Sequence, residues 1–406
     1  SPLLHEMTEL SDRTLQQLWQ QHAFPENFLL VAVGGYGRRE QFPFSDTDIL
    51  ILLPDDATPE QLESVSAFVG ELWDIGMDVG HSVRTLAECL AEAEKDITVQ
   101  TTLMENRLLA GDMQRFAELR RTLHCHIDPK EFFEAKLQEQ QVRYDKYQNA
   151  LYKLEPNIKE APGGLRDLQL LGWITNSLGL GKSWRALAAM GLITPEEHRK
   201  LRRAERVLRC CRIQLHWRAN RHEDRILFDY QNQLAEDFGF TSTGQGSLAL
   251  RASEAFMAQY YLAARVVGQL TPLLLQALKQ RIYSQIDTPV VAINARFQRR
   301  GDLLEMTSPD VFERTPSAIL EAFHLYQTLR EVRDIAPATL RALWNARPLI
   351  DDRFRNDPVN RQLFIDIFKA PAGQTHTLRR MNQYGVLGRF IPEFGDIVGR
   401  MQHDLF

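Results

Sequence analysis

Cysteine is scarce in this sequence: four of the 406 residues are cysteine, and no two of them form a Cys-x-x-Cys pair. This scarcity argues against a disulfide scaffold and favours reduced, mostly buried thiols. Long hydrophobic runs are also missing, since none approaches the roughly 18 residues of a membrane-spanning helix. The first residues lack the basic-then-apolar layout of a signal peptide. We therefore expect a cytoplasmic protein that does not bind a membrane.

Neither sign of charge is in large excess. The sequence has 48 lysine and arginine residues against 53 aspartate and glutamate residues, which gives a formal net charge of −5. A general nucleic-acid-binding protein usually carries a basic excess, so this balance argues against a nucleic-acid partner. Hydrophobic residues make up 44% of the chain, enough for the cores of two or three domains.

The hydrophobic pattern divides the chain into a mixed front part and a helical remainder. It predicts an α+β fold, in which a small mixed sheet is followed by a large α-helical region. The predicted strands of the sheet lie at 28–33, 47–53 and 76–84, with a helix at 59–73. The predicted later elements are helices at 131–152, 195–220 and 247–282 (the last with a possible break at Pro272), an extended piece at 289–298, and a helix from 308.

The segment between the first two strands carries the clearest chemical signal. The first apolar run leads into Gly34-Gly35, and Asp46-x-Asp48 opens the second run. Side chains i and i+2 of a strand share a face, so Asp46 and Asp48 present their carboxylates side by side. Two such carboxylates repel each other unless a cation lies between them. Hard oxygen ligands favour Mg²⁺, which binds substrate phosphates in the same shell.

The residues around the acidic pair suit a bound polyphosphate. Gly34 and Gly35 let backbone amides approach the phosphates without obstruction by side chains. Ser45 can donate its hydroxyl to a phosphate, and Arg38 or Arg39 can neutralise charge on a departing pyrophosphate. Together with the acidic pair, this pattern predicts a site of nucleotidyl transfer that uses Mg²⁺.

Three other interpretations of the segment fit less well. Gly35-x-Gly37 could begin a dinucleotide-binding fingerprint, but Glu40 stands where a third glycine is needed. A P-loop requires a Gly-Lys-Ser/Thr sequence, which does not follow here. A glycine turn would explain the first half of the segment alone, and a solvated acidic strand start would explain the second half alone. Together they explain poorly why both halves occur at this spacing between two hydrophobic strands.

The combination of Gly34-Gly35 with Ser45-Asp46-x-Asp48 resembles the signature of the DNA polymerase β-like nucleotidyltransferase superfamily. Further stretches resemble one family closely, the bifunctional uridylyltransferase/uridylyl-removing enzymes that modify the PII signal protein of bacteria. These stretches lie at 31–38, 79–85, 155–159, 162–167 and 401–406. The fourth of them, Pro-Gly-Gly-Leu-Arg-Asp, is much more specific than the superfamily signature. One departure is Arg39, where the family often has glycine.

The resemblance implies transfer of UMP from UTP to a tyrosine hydroxyl of the PII protein, with release of pyrophosphate. It implies that the nucleotide is bound by Gly34, Gly35, Arg38 and Ser45, and that Mg²⁺ is bound by Asp46, Asp48 and a third carboxylate on a neighbouring strand. That third group would also accept the proton of the attacking hydroxyl. Asp78 lies within the apolar strand pattern and is our candidate. Asp74 remains the alternative candidate. The third alternative is that neither residue reaches the metals.

Two later segments each allow two interpretations. In the first, Gly163 and Gly164 could expose amides at a helix N-terminus, with Lys159 or Arg166 reaching the nucleotide. The same segment could instead be an ordinary helix start, with Asp167 favouring the helix dipole. In the second, the arginine-rich stretch 199–225 could meet an acidic partner or a triphosphate, or could be a solvated helix face.

The resemblance also suggests how the chain is organised. It implies an N-terminal helix at 1–25, a nucleotidyltransferase domain at 26–128, a helical domain at 129–284 and a helical region at 285–406. In the family, the segment with His403-Asp404 only leads into the HD phosphohydrolase domain. We therefore expect the sequence to stop before the HD domain and the ACT domains that follow it.

Two other functions stay open. An adenylyltransferase of the glutamine synthetase-modifying type shares the Gly-Gly and Asp-x-Asp core, but does not need the Pro-Gly-Gly-Leu-Arg-Asp segment. A non-catalytic nucleotide-binding regulator would be expected to have lost a carboxylate, and both Asp46 and Asp48 are present. No motif reads the edges of a base, so the preference for uracil is implied only by the resemblance.

Overall fold

The computed structural model describes residues 2–148, 153–181, 183–242, 251–283 and 289–397. The ends of two predicted helices (149–152 and 247–250) and the stretch 401–406 with His403-Asp404 lie outside the described residues. The chain forms two compact units. Unit 1 comprises residues 1–186 and 205–241, and unit 2 comprises residues 187–204 and 242–406.

The described residues before 242 form four strands and eleven helices. The strands are β1 (Leu29–Ala32), β2 (Thr47–Leu52), β3 (Val79–Arg84) and β4 (Arg107–Ala110). The helices are α1 (Pro2–Gln21), α2 (Gly34–Gly37), α3 (Pro59–Asp74), α4 (Leu86–Lys95), α5 (Ile97–Met104), α6 (Met113–Cys125), α7 (Pro129–Lys146), α8 (Leu165–Ser177), α9 (Trp184–Ala189), α10 (Pro195–Ala219) and α11 (Phe228–Asp237).

The strands of unit 1 form a sheet in the order β3-β2-β1-β4. The pair β2–β3 is parallel, and the other two pairs are antiparallel. Both faces of the sheet are covered, which explains why β1 and β2 read as continuous apolar runs. On one face Leu30 packs with Trp19 of α1 and Phe68 of α3. On the other face Val31 packs with side chains of α4, α5 and α6, among them Phe116.

Unit 2 has its own small sheet, in the order β5-β6-β7-β8. Its strands are β5 (Val290–Ala292), β6 (Phe297–Arg300), β7 (Leu303–Met306) and β8 (Asp334–Ile335). Its helices are α12 (Ala252–Tyr283), α13 (Val311–Arg314), α14 (Ala318–Thr328), α15 (Pro337–Ala346), α16 (Asp352–Asn356), α17 (Pro358–Lys369), α18 (Gln374–Gln383), α19 (Leu387–Phe390) and α20 (Pro392–Ile397), with a 3₁₀ turn at Arg347–Leu349.

The predicted α+β fold is confirmed, with small mixed sheets in a mainly helical chain. The possible break at Pro272 was wrong, because α12 continues through this residue. A proline within a helix costs about 3 kcal/mol, since it lacks an amide and its ring crowds an earlier carbonyl. Buried Leu270, Leu273 and Leu274 flank Pro272, so packing of the helix outweighs that cost. Within the described ranges, none of the helices has the length and apolar character needed to span a bilayer.

Candidate active site

The parallel pairing of β2 with β3 places the acidic pair. Asp48 lies opposite Gly80 in this pair, and Thr47 lies opposite Val79. The Thr47 amide donates to the Asp78 carbonyl at 2.8 Å, and the Val33 amide donates to the Asp48 carbonyl at 3.0 Å. These bonds fix the start of β2 against both the end of β1 and the start of β3.

Two glycines leave space for the Asp48 carboxylate. A Cβ atom built on Gly80 would lie 2.6 Å from Asp48 Oδ1 and 4.0 Å from Asp46 Oδ2, so both carboxylates face this glycine. A Cβ atom on Gly34, which has φ +58°, would lie 3.3 Å from Asp48 Oδ2. The prediction that Asp46 and Asp48 point to one side is therefore matched by their geometry.

The electrostatics of the pair suit a cation. Burial, and then the neighbouring Asp46 carboxylate, raise the pKa of Asp48 to about 6, although Lys159 and Arg38 act in the opposite direction. Repulsion of this kind is relieved when a divalent cation binds both groups. Asp46 is exposed and Asp48 is half-buried, so the oxygens are open to a ligand on one side. The donor set therefore fits a hard, oxygen-preferring metal ion.

The two candidates for the third carboxylate occupy different positions. Asp74 is the last residue of α3. Asp78 lies directly before β3, whereas the sequence pattern had placed it within the strand. After burial and Asp46, the Asp78 carboxylate also contributes to the raised pKa of Asp48. Both side chains are exposed. Asp78 thus lies near the pair, and its role as the third carboxylate stays a prediction.

The predicted nucleotide-binding residues line one cleft with the acidic pair. Gly34, Gly35, Arg38 and Ser45 all border a cleft of about 260 Å³ in unit 1. Arg38 already has partners there: its Nε donates to Glu40 Oε2 at 3.0 Å, and it also bonds Glu105. Its charge is therefore largely compensated before any ligand binds.

Besides Tyr36 and Glu40, the rest of the cleft comes from α5, α7, α8, α10 and loops next to them, and most of these residues were missed by the sequence reasoning. They are Thr98, Thr101, Thr102, Glu105, Lys136, Glu139, Lys159, Arg166, Gln169, Trp173, Arg212 and His222. Lys159 and Arg166 had been considered because they precede or belong to the specific Pro-Gly-Gly-Leu-Arg-Asp segment, and Arg212 because it belongs to the arginine-rich stretch 199–225. The others lie far apart in the sequence on helical patterns that look ordinary, so no local signal distinguishes them.

The start of α8 does not offer free amides to a phosphate. The Gly163 amide donates to Asp167 Oδ2 at 2.7 Å, and the Gly164 amide donates to the Ala161 carbonyl at 2.8 Å. Asp167 is fully buried and also accepts from Arg143 at 2.5 Å and from the Tyr144 hydroxyl at 2.7 Å. The interpretation of this segment as an amide site for phosphate was therefore wrong, because its amides complete the turn itself.

Most of the basic residues of 199–225 that belong to unit 1 are held in ion pairs. Arg209 pairs with Glu205 and Glu40, Arg212 with Asp224, Arg218 with Asp237, Arg221 with Glu223, and Arg225 with Glu155. Arg209 and Arg212 thereby join α10 to Glu40 and Asp224 in neighbouring loops, whereas Arg218, Arg221 and Arg225 are 42%, 62% and 58% exposed. The arginine-rich pattern in this unit therefore combines internal contacts with a solvated face.

A second cluster of metal-ligating side chains lies beside the cleft. Among the described residues, only His216, His222 and Asp224 bring three such atoms within 4.8 Å of one another. The Arg212 guanidinium occupies this cluster, however, donating to Asp224 Oδ1 at 2.6 Å and lying 3.2 Å from His222 Nε2. Burial opposes ionisation of Asp224, but His216 and Arg212 hold its pKa well below the usual range. The cluster is therefore an internal ion pair that already contains a cation.

Comparison with known families covers most of the chain. Residues 131–275 match the model of the GlnD PII-uridylyltransferase family, and residues 297–390 match the model of the uridylyltransferase GlnD third domain. Residues 2–81, which contain the acidic pair, match the nucleotidyltransferase family DUF294.

Two whole-chain relatives carry the name bifunctional uridylyltransferase/uridylyl-removing enzyme. The protein from Nitrosospira multiformis is 47% identical over 410 residues, and the alignment covers 100% of this chain and 46% of the relative. The protein from Aromatoleum aromaticum is 48% identical over 406 residues, covering 100% of this chain and 47% of the relative. The chain thus spans about half the length of the curated relatives it matches. The chain therefore contains two regions that match GlnD family models, and over its whole length it is similar to about half of enzymes named bifunctional uridylyltransferase/uridylyl-removing enzyme.

Proposed function

We propose that this chain binds UTP with Mg²⁺ in the cleft of unit 1 and transfers UMP to a tyrosine hydroxyl of the PII nitrogen-regulatory protein. The observation that carries the proposal is the convergence of Asp46 Oδ2 and Asp48 Oδ1 in front of Gly80, beside Gly34 in a cleft that also contains several cations. The uridylyl group and the PII protein come from the names of the matching family and of the relatives.

The residues of this site would have distinct roles in the reaction. Asp46 and Asp48 would hold Mg²⁺, which supplies positive charge to the triphosphate and to the attacking and leaving oxygens. Gly34, Gly35 and Ser45 would position the phosphates. Asp78 would accept the proton of the tyrosine hydroxyl. The tyrosine oxygen then bonds to the α-phosphorus, and the bond from that phosphorus to the α–β bridging oxygen breaks, with its electron pair leaving on pyrophosphate.

Arg38 would act differently from the prediction made for it. Since Glu40 and Glu105 already compensate its guanidinium, neutralising pyrophosphate would require breaking those ion pairs. Gly35 lies close to this side chain, because a Cβ atom there would be 3.7 Å from Arg38 Nη2. We therefore propose a structural role for Arg38, in which its guanidinium holds the Gly34-Gly35 turn against Glu105 at the edge of the cleft.

The test is transfer of label from nucleotides labelled at the α-phosphate. The chain is incubated with purified PII protein, Mg²⁺ and one of UTP, ATP, CTP or GTP, and the labelled PII protein is measured. We expect label from UTP only, and none after chelation of the metal or with PII variants whose acceptor tyrosine is replaced by phenylalanine. Label from ATP instead would favour the adenylyltransferase alternative, and binding of UTP without any transfer would favour the regulator.

A further inference from the structure

Lys159 lines the same cleft as Asp46 and Asp48, and its side chain is only 26% exposed. Burial, and then the nearby Arg166 and Arg212, lower the pKa of its ammonium, although Asp224 and Glu160 act in the opposite direction.

The other cations of the cleft have close carboxylate partners. Lys136 lies 2.5 Å from Glu139, Arg166 lies 3.0 Å from Glu160, Arg212 lies 2.6 Å from Asp224, and Arg38 pairs with Glu40 and Glu105. Lys159 Nζ, by contrast, lies 4.0 Å from Glu160 Oε1, an oxygen that already accepts from Arg166. Among the cleft cations that the structure describes, Lys159 therefore has the weakest compensation and can bind an added anion at the lowest cost.

The backbone around Lys159 is held in one conformation. Asn157 Oδ1 accepts from the amides of Lys159 at 3.0 Å and Glu160 at 2.7 Å. The Ile158 amide donates to the Asp224 carbonyl at 2.8 Å, and the Arg166 amide donates to the Lys159 carbonyl at 2.9 Å. The side chain is therefore presented from a rigid turn, which reduces the entropy lost when it binds a ligand.

The start of α8 closes this turn from the other side. A Cβ atom on Gly164 would lie 2.6 Å from the Ile158 carbonyl oxygen and 2.7 Å from that of Lys159, so a larger residue would force the turn apart. Buried Asp167 fixes the same loop by accepting from the Gly163 amide and from Arg143. The Pro162–Asp167 segment thus acts on Lys159 through backbone contacts.

We propose that Lys159 binds the β- and γ-phosphates of the nucleotide and neutralises the departing pyrophosphate, and that the Pro162–Asp167 segment positions it for this role. The inference rests on the proposed nucleotidyl transfer and names the cation of that site. An ammonium has three donors, which can bond oxygens of two adjacent phosphates at once. Its positive charge would stabilise the negative charge that develops on the leaving group.

The test compares Lys159→Met with the unaltered chain in binding to Mg²⁺-UTP, Mg²⁺-tripolyphosphate and UMP by calorimetry. Lys159→Arg tests whether charge alone restores binding. Lys95→Met in α4 is the matched control, because Lys95 is 69% exposed and pairs with the exposed Glu92. We expect Lys159→Met to weaken UTP and tripolyphosphate about 10- to 100-fold and to leave UMP unchanged, with partial recovery in Lys159→Arg.

Two results would overturn the inference: equal affinity of Lys159→Met and the unaltered chain for tripolyphosphate, or an equal loss for UMP and UTP, which would indicate general damage to the cleft. The outcome is separable from the proposed function. If the unaltered chain binds tripolyphosphate through Lys159 but transfers no UMP to PII protein, the phosphate site is supported and the proposed reaction is contradicted.

Discussion

Gly80 lies directly opposite Asp48 across the parallel strands β2 and β3, and its missing side chain is the space that the Asp48 carboxylate occupies. The first prediction follows from this contact. In Gly80→Ala the new Cβ would stand 2.6 Å from Asp48 Oδ1, so the carboxylate must move from its place beside Gly80. We expect UMP transfer to fall about 10²-fold, since a displacement near 1 Å can cost that much. The melting temperature should change little, because only the end of one side chain has to move.

Gly70 of α3 provides the matched glycine control. A Cβ atom there would meet nothing within 4 Å. Gly70→Ala should keep full transfer and should stabilise α3 by up to about 1 kcal/mol, the usual difference between glycine and alanine in a helix. Equal transfer by Gly80→Ala and Gly70→Ala would show that the position of Asp48 is not critical.

The second prediction concerns the acidic pair itself. Asp46→Ala or Asp48→Ala should reduce transfer by about 10³-fold, the scale expected for loss of a principal electrostatic group. Without Mg²⁺ the melting temperature should equal that of the unaltered chain or rise slightly, because one of two repelling carboxylates is gone. The increase in melting temperature produced by Mg²⁺ and UTP should shrink. A variant that fails to fold would instead indicate a structural role for the pair.

The third prediction separates Asp78 from Asp74. Asp78→Asn should abolish transfer and leave UTP binding largely intact, because Asp78 lies next to the pair and would accept the proton. Asp74→Asn, at the end of α3, should have a smaller effect on kcat and serves as the control. The opposite order of kcat in these two variants would assign the third carboxylate to Asp74.

The fourth prediction concerns the stability of unit 1. Asp167 is fully buried, and its partner Arg143 is 9% exposed. Asp167→Asn removes the closer of the two carboxylates beside that guanidinium and leaves Glu160, whose Oε2 lies 3.9 Å from Arg143 Nε, so we expect unfolding in urea to require about 3–5 kcal/mol less. Asp237→Asn removes an ion pair with Arg218, which is 42% exposed, and should have a much smaller effect. Similar unfolding curves for both variants would show that Asp167 does not hold α8.

The sequence by itself determined the features that depend on neighbours along the chain. Alternation along an extended chain predicts that Asp46, directly before β2, and Asp48, within it, share a face, and apolar runs predict the strands beside them, because both are properties of a few consecutive residues. The same local reasoning located the glycine turn at Gly34. It also favoured the front sheet and the helical remainder, and motif resemblance predicted the family.

Only the tertiary structure decided which distant residues complete the site. Gly80 faces Asp48 because β3 pairs in parallel with β2 in one register, and a shift by one residue would turn its opposite face to the pair. Lys159 reaches the cleft because its turn is bonded to Asp224 and closed by Gly164. Arg38 is compensated because Glu105, from the end of α5, packs beside it. The contacts of Gly80 with Asp48, of the Lys159 turn with Asp224 and of Arg38 with Glu105 join segments far apart in the sequence, so they depend on packing that no local pattern encodes.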